Sequence, residues 1–280
     1  MEGRRSDTWE FVTVKFSHCD RDNFQESSRW LHNFQHFATL PGRRKDRAVA
    51  YCSHQNWVFC LVTTPNIFDD YDLQSYYNSR PTLYWCNTTD REWKCWMVSE
   101  LLTVSFPSLT YHQGRLYISG GFCNHDLDTE DKDILKTKDI RGDGQQRVAV
   151  VKFQVRSTGG VIDELTKPRL HFIANMKHAR GGHVTCIYKN HLFVFGGAHR
   201  SESVKTVEFF QINISLKNQW ETVPNTSVYS LMGGCTIYNN FALISTTGYT
   251  VTFLRIIVFD MERLVVRKDL KLDIPNSPWR

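Results

Sequence analysis

Two apolar runs, Leu116-Tyr117-Ile118-Ser119 and Leu192-Phe193-Val194-Phe195, each end in a glycine pair, Gly120-Gly121 and Gly196-Gly197, and the pairs stand 76 residues apart. A short apolar run rich in β-branched and aromatic residues and closed by turn residues reads as a buried strand. The glycines let the chain leave that strand at backbone angles a side chain would forbid. A unit that returns at a period of about 50 residues indicates a repeat architecture, in which each unit is one supersecondary element that cannot bury its apolar face alone. In such an assembly function sits on the loops at one end rather than in any one motif.

The fullest unit starts at His178-Ala179-Arg180-Gly181-Gly182-His183 and turns at Lys189-Asn190. It closes its inner hairpin at Gly196-Gly197 and continues through Phe210 to Trp220. A degraded copy occupies residues 233–248, with Tyr238 in the place of Tyr188 and Thr246-Thr247 where the glycine pair stood, followed by a strand ending at Asp260. Residues 106–121 supply another inner hairpin, with outer strands expected at 147–155 and 159–165 and no tryptophan. Residues 48–62 read as an inner hairpin without glycines; in residues 82–96 that follow, Trp85 and Trp93 take the aromatic and tryptophan places of Phe210 and Trp220. Such aromatics fill the wedge between neighbouring blades. Residues 11–17, with Trp30, read as the outer half of a preceding blade.

This pattern resembles the kelch repeat, most closely in the unit that contains Arg180, His183, Gly196-Gly197, Phe210 and Trp220. The resemblance implies an all-β, kelch-type β-propeller spanning residues 1–280 as one domain, with about five recognisable blades. These are a partial blade over 8–45 and blades at about 46–100, 101–170, 171–225 and 226–275. An incomplete six-bladed ring, a five-bladed ring closed unusually and a divergent product all stay open, because a propeller protects its strand edges by closure. The chain is similar to the propeller domain of the kelch-like (BTB-kelch) proteins. In that family a BTB domain and a helical BACK region precede the propeller, and nothing before residue 46 reads as a long helical pattern.

Composition excludes several classes. At 41% apolar residues the chain can bury a core, yet no run approaches the roughly 18 apolar residues of a membrane span. The basic start has no apolar stretch behind it, so it does not read as a secretory signal, and a cytoplasmic, reducing location is expected. The eight cysteines are then mostly free thiols, and without a CxxC pair no zinc site is expected. The net charge of +5 is spread, and the cluster Arg43-Arg44-Lys45 falls short of the basic stripe of a nucleic-acid binder. The acidic stretch 126–133 fails the calcium-loop test, with Asp131 at the sixth place and Thr137 at the twelfth, where glycine and glutamate are required. No cofactor, nucleic acid or membrane is expected.

The loops that follow the inner hairpins cover 63–81, 122–146, 198–206 and 248–252, and the first two are long enough to suggest function. Tyrosine and arginine dominate interface energetics. On that ground Tyr71, Tyr76 and Arg80 in the first loop, His199 and Arg200 in the third, and Arg43, Arg44, His178, Arg180 and Tyr229 in the blade-opening segments are the candidate partner-binding residues. A structural alternative has Arg180 tying adjacent blades and His183 packed beneath the strand. The resemblance implies a non-enzymatic protein-binding module, a substrate receptor that presents a target protein to a cullin-type ubiquitin ligase by way of a BTB-containing form or partner. Its ligand would be an acidic or mixed-charge segment. Actin or another cytoskeletal protein is the alternative partner. Kelch-type propellers also host enzymes, among them copper oxidases, sialate mutarotases and iron-dependent specifier proteins. The eleven histidines show no cluster of the kind such metal chemistry needs.

Overall fold

Alternation of apolar and polar residues between turn signals dictates strands throughout, and the computed structural model is all-β. It describes residues 10–14, 34–39, 47–63, 81–89, 92–98, 106–123, 143–200, 202–212, 219–231, 233–247 and 253–273. An N-terminal pair, β1 (Glu10–Val14) and β2 (Phe34–Thr39), is antiparallel. The first blade contains β3 (Arg47–His54), β4 (Trp57–Thr63), β5 (Thr82–Asn87) and β6 (Trp93–Met97), paired in that order. The second contains β7 (Ser108–His112) and β8 (Arg115–Ser119), the short pair β9 (Phe122–Cys123) and β10 (Asp143–Gly144), then β11 (Val148–Thr158) and β12 (Val161–Phe172). Its sheet runs β7-β8-β11-β12.

The third blade contains β13 (Val184–Tyr188), β14 (His191–Phe195), the short pair β15 (Ala198–His199) and β16 (Glu202–Ser203), β17 (Val207–Gln211) and β18 (Glu221–Thr222). The fourth contains β19 (Gly234–Tyr238), β20 (Phe241–Thr247), β21 (Phe253–Asp260) and β22 (Val265–Asp273). The described residues thus form a propeller arrangement of four four-stranded antiparallel blades. The first strands β3, β7, β13 and β19 lie beside one another in succession.

Because side chains alternate across each strand, neighbouring blades pack face against face, and the core divides into wedges between blades. Trp57, Phe59, Leu83 and Trp85 meet Ile118, Phe153 and Leu165 between the first two blades. Tyr117, Val150 and Met176 meet Leu192, Phe210 and Trp220 between the second and third. Phe193, Phe195 and Val207 meet Ile244, Ile257 and Phe259 between the third and fourth. Hydroxyls join the inner strands as well: Thr185 hydrogen-bonds Ser108 at 2.7 Å and also Thr110.

Two expectations are corrected by register. In the first blade Phe59 pairs Trp85 and Val58 pairs Cys86; in the third, Phe193 pairs Phe209 and Leu192 pairs Phe210. Cys86 therefore holds the place of Phe210, and Trp85 lies one residue out of phase, which turns it to the opposite face, towards the second blade. Trp93, paired with Cys86, does correspond to Trp220. The outer strands of the second blade also run further than their expected ends, to Thr158 and Phe172 around Gly159-Gly160. β12 overlies the first blade and accepts both its buried indoles, Trp57 Nε1 on Ile162 O at 3.0 Å and Trp85 Nε1 on Leu165 O at 3.3 Å. Among the described residues no helix is long and apolar enough to cross a membrane.

Candidate functional site

The glycine pairs build one end of the propeller by letting the next blade's opening segment lie directly on a strand exit. Gly120 has φ +55°, and a Cβ there would stand 2.3 Å from the Arg180 carbonyl oxygen; Gly196 has φ +64°, with Ser230 N at 2.5 Å from the same imagined atom. Main-chain hydrogen bonds then knit the segments together. Gly121 N donates to Arg180 O (2.9 Å), Arg180 N to Gln145 O (3.1 Å), Gly182 N to Phe106 O (2.9 Å) and Gly197 N to Ser230 O (2.6 Å). Gly181 and Ala198 exchange bonds in both directions. In the fourth blade Thr246 takes the place of Gly196, and its hydroxyl both accepts from Leu231 N and donates to Leu231 O.

Beneath this mat lies a buried ion pair. Arg180 and Glu208 are both fully buried, and one guanidinium nitrogen of Arg180 donates to the Glu208 carboxylate. The guanidinium's other bonds run to Gly196 O (2.7 Å), Thr206 O (3.0 Å), Thr206 Oγ1 (2.8 Å) and His178 O (3.4 Å). Burial pushes the guanidinium's pKa down, and Glu208 opposes that shift. Glu208 also accepts from Lys177 N (2.7 Å) and His178 N (3.1 Å) and bonds His178 Nδ1 (2.7 Å). A buried charge tolerates removal from water only when its hydrogen-bonding capacity is met in this way. His183 is buried next door, with Nε2 2.8 Å from Ser119 Oγ and Nδ1 without a hydrogen-bond partner among the described residues. Burial, then the Arg180 charge, hold its pKa well below the ordinary 6.5, so it is neutral.

The candidate residues accordingly fall into three groups. Arg180 is a tie between the second blade's backbone and the third blade's strands and offers no free face; His178 is exposed yet bonded to the same carboxylate. His199, Arg200 and Tyr229 stand at the surface of the mat. His199 Nδ1 accepts from Gly144 N at 3.1 Å, and Tyr229 packs against the cluster of Phe122, Ala198 and Leu231. Phe106, 43% exposed, stacks edge-on to Phe122 at 6.4 Å. Arg43, Arg44, Tyr71, Tyr76 and Arg80 lie outside the described residues.

Glu208 was missed by sequence reasoning, although a single acid inside the apolar strand Val207-Glu208-Phe209-Phe210 is the signal of a buried ion-pair partner. Phe106 was missed too, being the residue before Pro107 at a blade opening. Among the described residues no group of three or more His, Cys, Asp or Glu side chains is placed to hold a metal ion.

No family model matches the chain. No curated protein matches it. Among solved structures the chain is similar to the protein titled "Structure of YjhT", with a TM-score of 0.48 and 12% identity, covering 82% of this chain and 66% of that one. The chain therefore spans just under two thirds of that protein's length.

Proposed function

We propose that the chain is a protein-interaction module whose working surface is the double-glycine end of the propeller. In the finer form of the proposal it is a kelch-like receptor in the cytoplasm that captures a segment of a target protein there. Presentation to a cullin-type ligase would then run through a BTB-containing form or partner. The observation that carries the reading is the mat itself. Opening segments of successive blades are bonded backbone to backbone from Phe106 to Ser230, with the exposed Phe106 ring and half-buried Tyr229 and His199 set upon it. A surface fixed by main-chain bonds loses little freedom on binding, which is how a modest contact area yields affinity. Loops carried on a rigid scaffold are where recognition concentrates.

Proximity labelling in the cytoplasm tests the reading. Wild type is compared with a variant carrying Tyr71→Ala, Tyr76→Ala and His199→Ala, Arg180 being left intact because it belongs to the core. A partner lost only in the variant supports capture at this end, and a cullin subunit among the labelled proteins supports the finer form. The same labelled set from both proteins, with the variant folded by circular dichroism, overturns it.

A further inference from the structure

On the outer side of the wedge between the third and fourth blades is a cleft of about 210 Å³ that plays no part in the Arg180 centre. Its floor is apolar, Ile257 and Val266 from β21 and β22, and Ile257 is buried. Its walls carry Lys205, Ser227, Tyr229 and Arg255. Lys205 and the segment bearing Ser227 and Tyr229 are pinned together by the bond from Val228 N to Lys205 O at 2.8 Å. Arg255 is held side-on by Asp269: Nε donates to Oδ1 at 2.6 Å and Nη2 donates to Oδ2. That bidentate grip fixes the guanidinium plane and leaves the Nη1 edge for another acceptor. Lys205 Nζ, Ser227 Oγ, Tyr229 OH and Arg255 Nη1 have no hydrogen-bond partner among the described residues.

Resting on the interaction-module reading, we propose that this cleft anchors the side chain of a glutamate in the bound partner. Four residues whose side-chain donors have no acceptor among the described residues line a space with a single carboxylate, Asp269, already engaged with Arg255. The charge is the second argument. Two cations against one carboxylate leave one positive charge, which matches a monoanionic carboxylate and undercompensates a dianionic phosphate. The apolar floor is the third, because Ile257 and Val266 can cover the two methylenes that separate a glutamate carboxylate from its backbone. Tyr229 belongs both to this cleft and to the cluster with Phe122, Ala198 and Leu231, so the pocket is continuous with the capture mat.

Saturation-transfer NMR on the full chain tests the site with three probes: N-acetyl-glutamate α-amide, its glutamine counterpart and inorganic phosphate. The glutamate probe is expected to bind, with the glutamine counterpart and phosphate each weaker by about tenfold or more, the margin of one charge-assisted hydrogen bond. Lys205→Met and Arg255→Met are each expected to weaken the glutamate probe by about tenfold at unchanged thermal unfolding, since both side chains reach solvent. No glutamate binding, equal binding of the glutamine probe, tighter binding of phosphate, or unchanged affinity in both variants overturns the assignment. The two readings fail separately. A partner that wild type and the Lys205→Met/Arg255→Met double variant capture equally removes the cleft and leaves the module; glutamate binding with no partner labelled at either end removes the module and leaves a glutamate site.

Discussion

Replacing Arg180 by alanine should be among the most damaging single changes in the chain. The side chain is 0% exposed and holds together the Glu208 carboxylate, the Gly196 and Thr206 carbonyls and the Thr206 hydroxyl. Removing it leaves Glu208, also 0% exposed, with only the Lys177 and His178 amides and the His178 ring as donors. Breaking a buried pair from one side costs about 3–5 kcal/mol, because the surviving charge is left uncompensated. Set against a total stability of about 5–15 kcal/mol, that is a large fraction. With a urea slope near 3 kcal/mol per molar, the midpoint should fall by about 1–1.7 M. Urea unfolding followed by the fluorescence of the eight tryptophans reads the shift. The double variant Arg180→Met, Glu208→Leu should recover part of the loss, since an apolar pair of similar volume needs no compensation. A midpoint change below about 0.3 M for Arg180→Ala, the size expected of a surface substitution, would refute the tie.

Three further outcomes follow from the same geometry. His183 is neutral when folded and regains its ordinary pKa of 6.5 when unfolded, so below that pH the unfolded chain binds the extra proton. Stability should therefore fall as pH drops below 6.5, by up to about 1.4 kcal/mol per unit from this residue, and His183→Gln should flatten that part of the profile; an unchanged slope contradicts it. Gly120→Ala forces a positive-φ alanine against the Arg180 carbonyl and should cost at least about 2 kcal/mol, whereas Gly159→Ala, at φ +59° with nothing within 4 Å, should cost about 1. Equal losses at the two sites in urea unfolding would argue against the strand-exit contact. Burial pushes the Cys60 thiol up to about 12 and raises Cys52, while the hydrogen bond that the Cys186 thiol makes to Cys235, then burial, raise Cys186. Iodoacetamide at pH 8 should modify exposed Cys95 well before Cys60, peptide by peptide in mass spectrometry, and equal rates would contradict the burial.

The hairpins were legible in the sequence because their signals are local. Gln113-Gly114, Lys189-Asn190 and Asn239 have positive φ, a conformation that short polar residues and glycine tolerate, and each joins two apolar runs. The glycine pairs are equally local in sequence, although what they make room for is not: Gly120 faces Arg180 and Gly196 faces Ser230. Register between strands was less legible. Trp85 and Cys86 are neighbours in sequence, and only the pairing with Phe59 and Val58 decides which faces the second blade. The bonds that β12 accepts at Ile162 and Leu165 come from tryptophans of the preceding blade, which no pattern inside residues 161–172 announces. Arg180 and His183 could be named from the repeat, while the burial of Arg180 depended on Glu208, a residue 28 positions on. The cleft is assembled from residues near 205, 227–229, 255–257 and 266–269, so no window of sequence contains it.

The central claim is that the double-glycine end, and not the hairpin-turn end, is the working surface. Affinity capture from cytosol with two proteins that carry added negative charge tests it most directly: one carries His199→Glu and Arg200→Glu on the mat, the other Gln113→Glu and Asn239→Glu on the turns at the far end. The account predicts that the mat variant loses the partners held by wild type and that the turn variant keeps them. Partners lost from the turn variant and kept by the mat variant would contradict it.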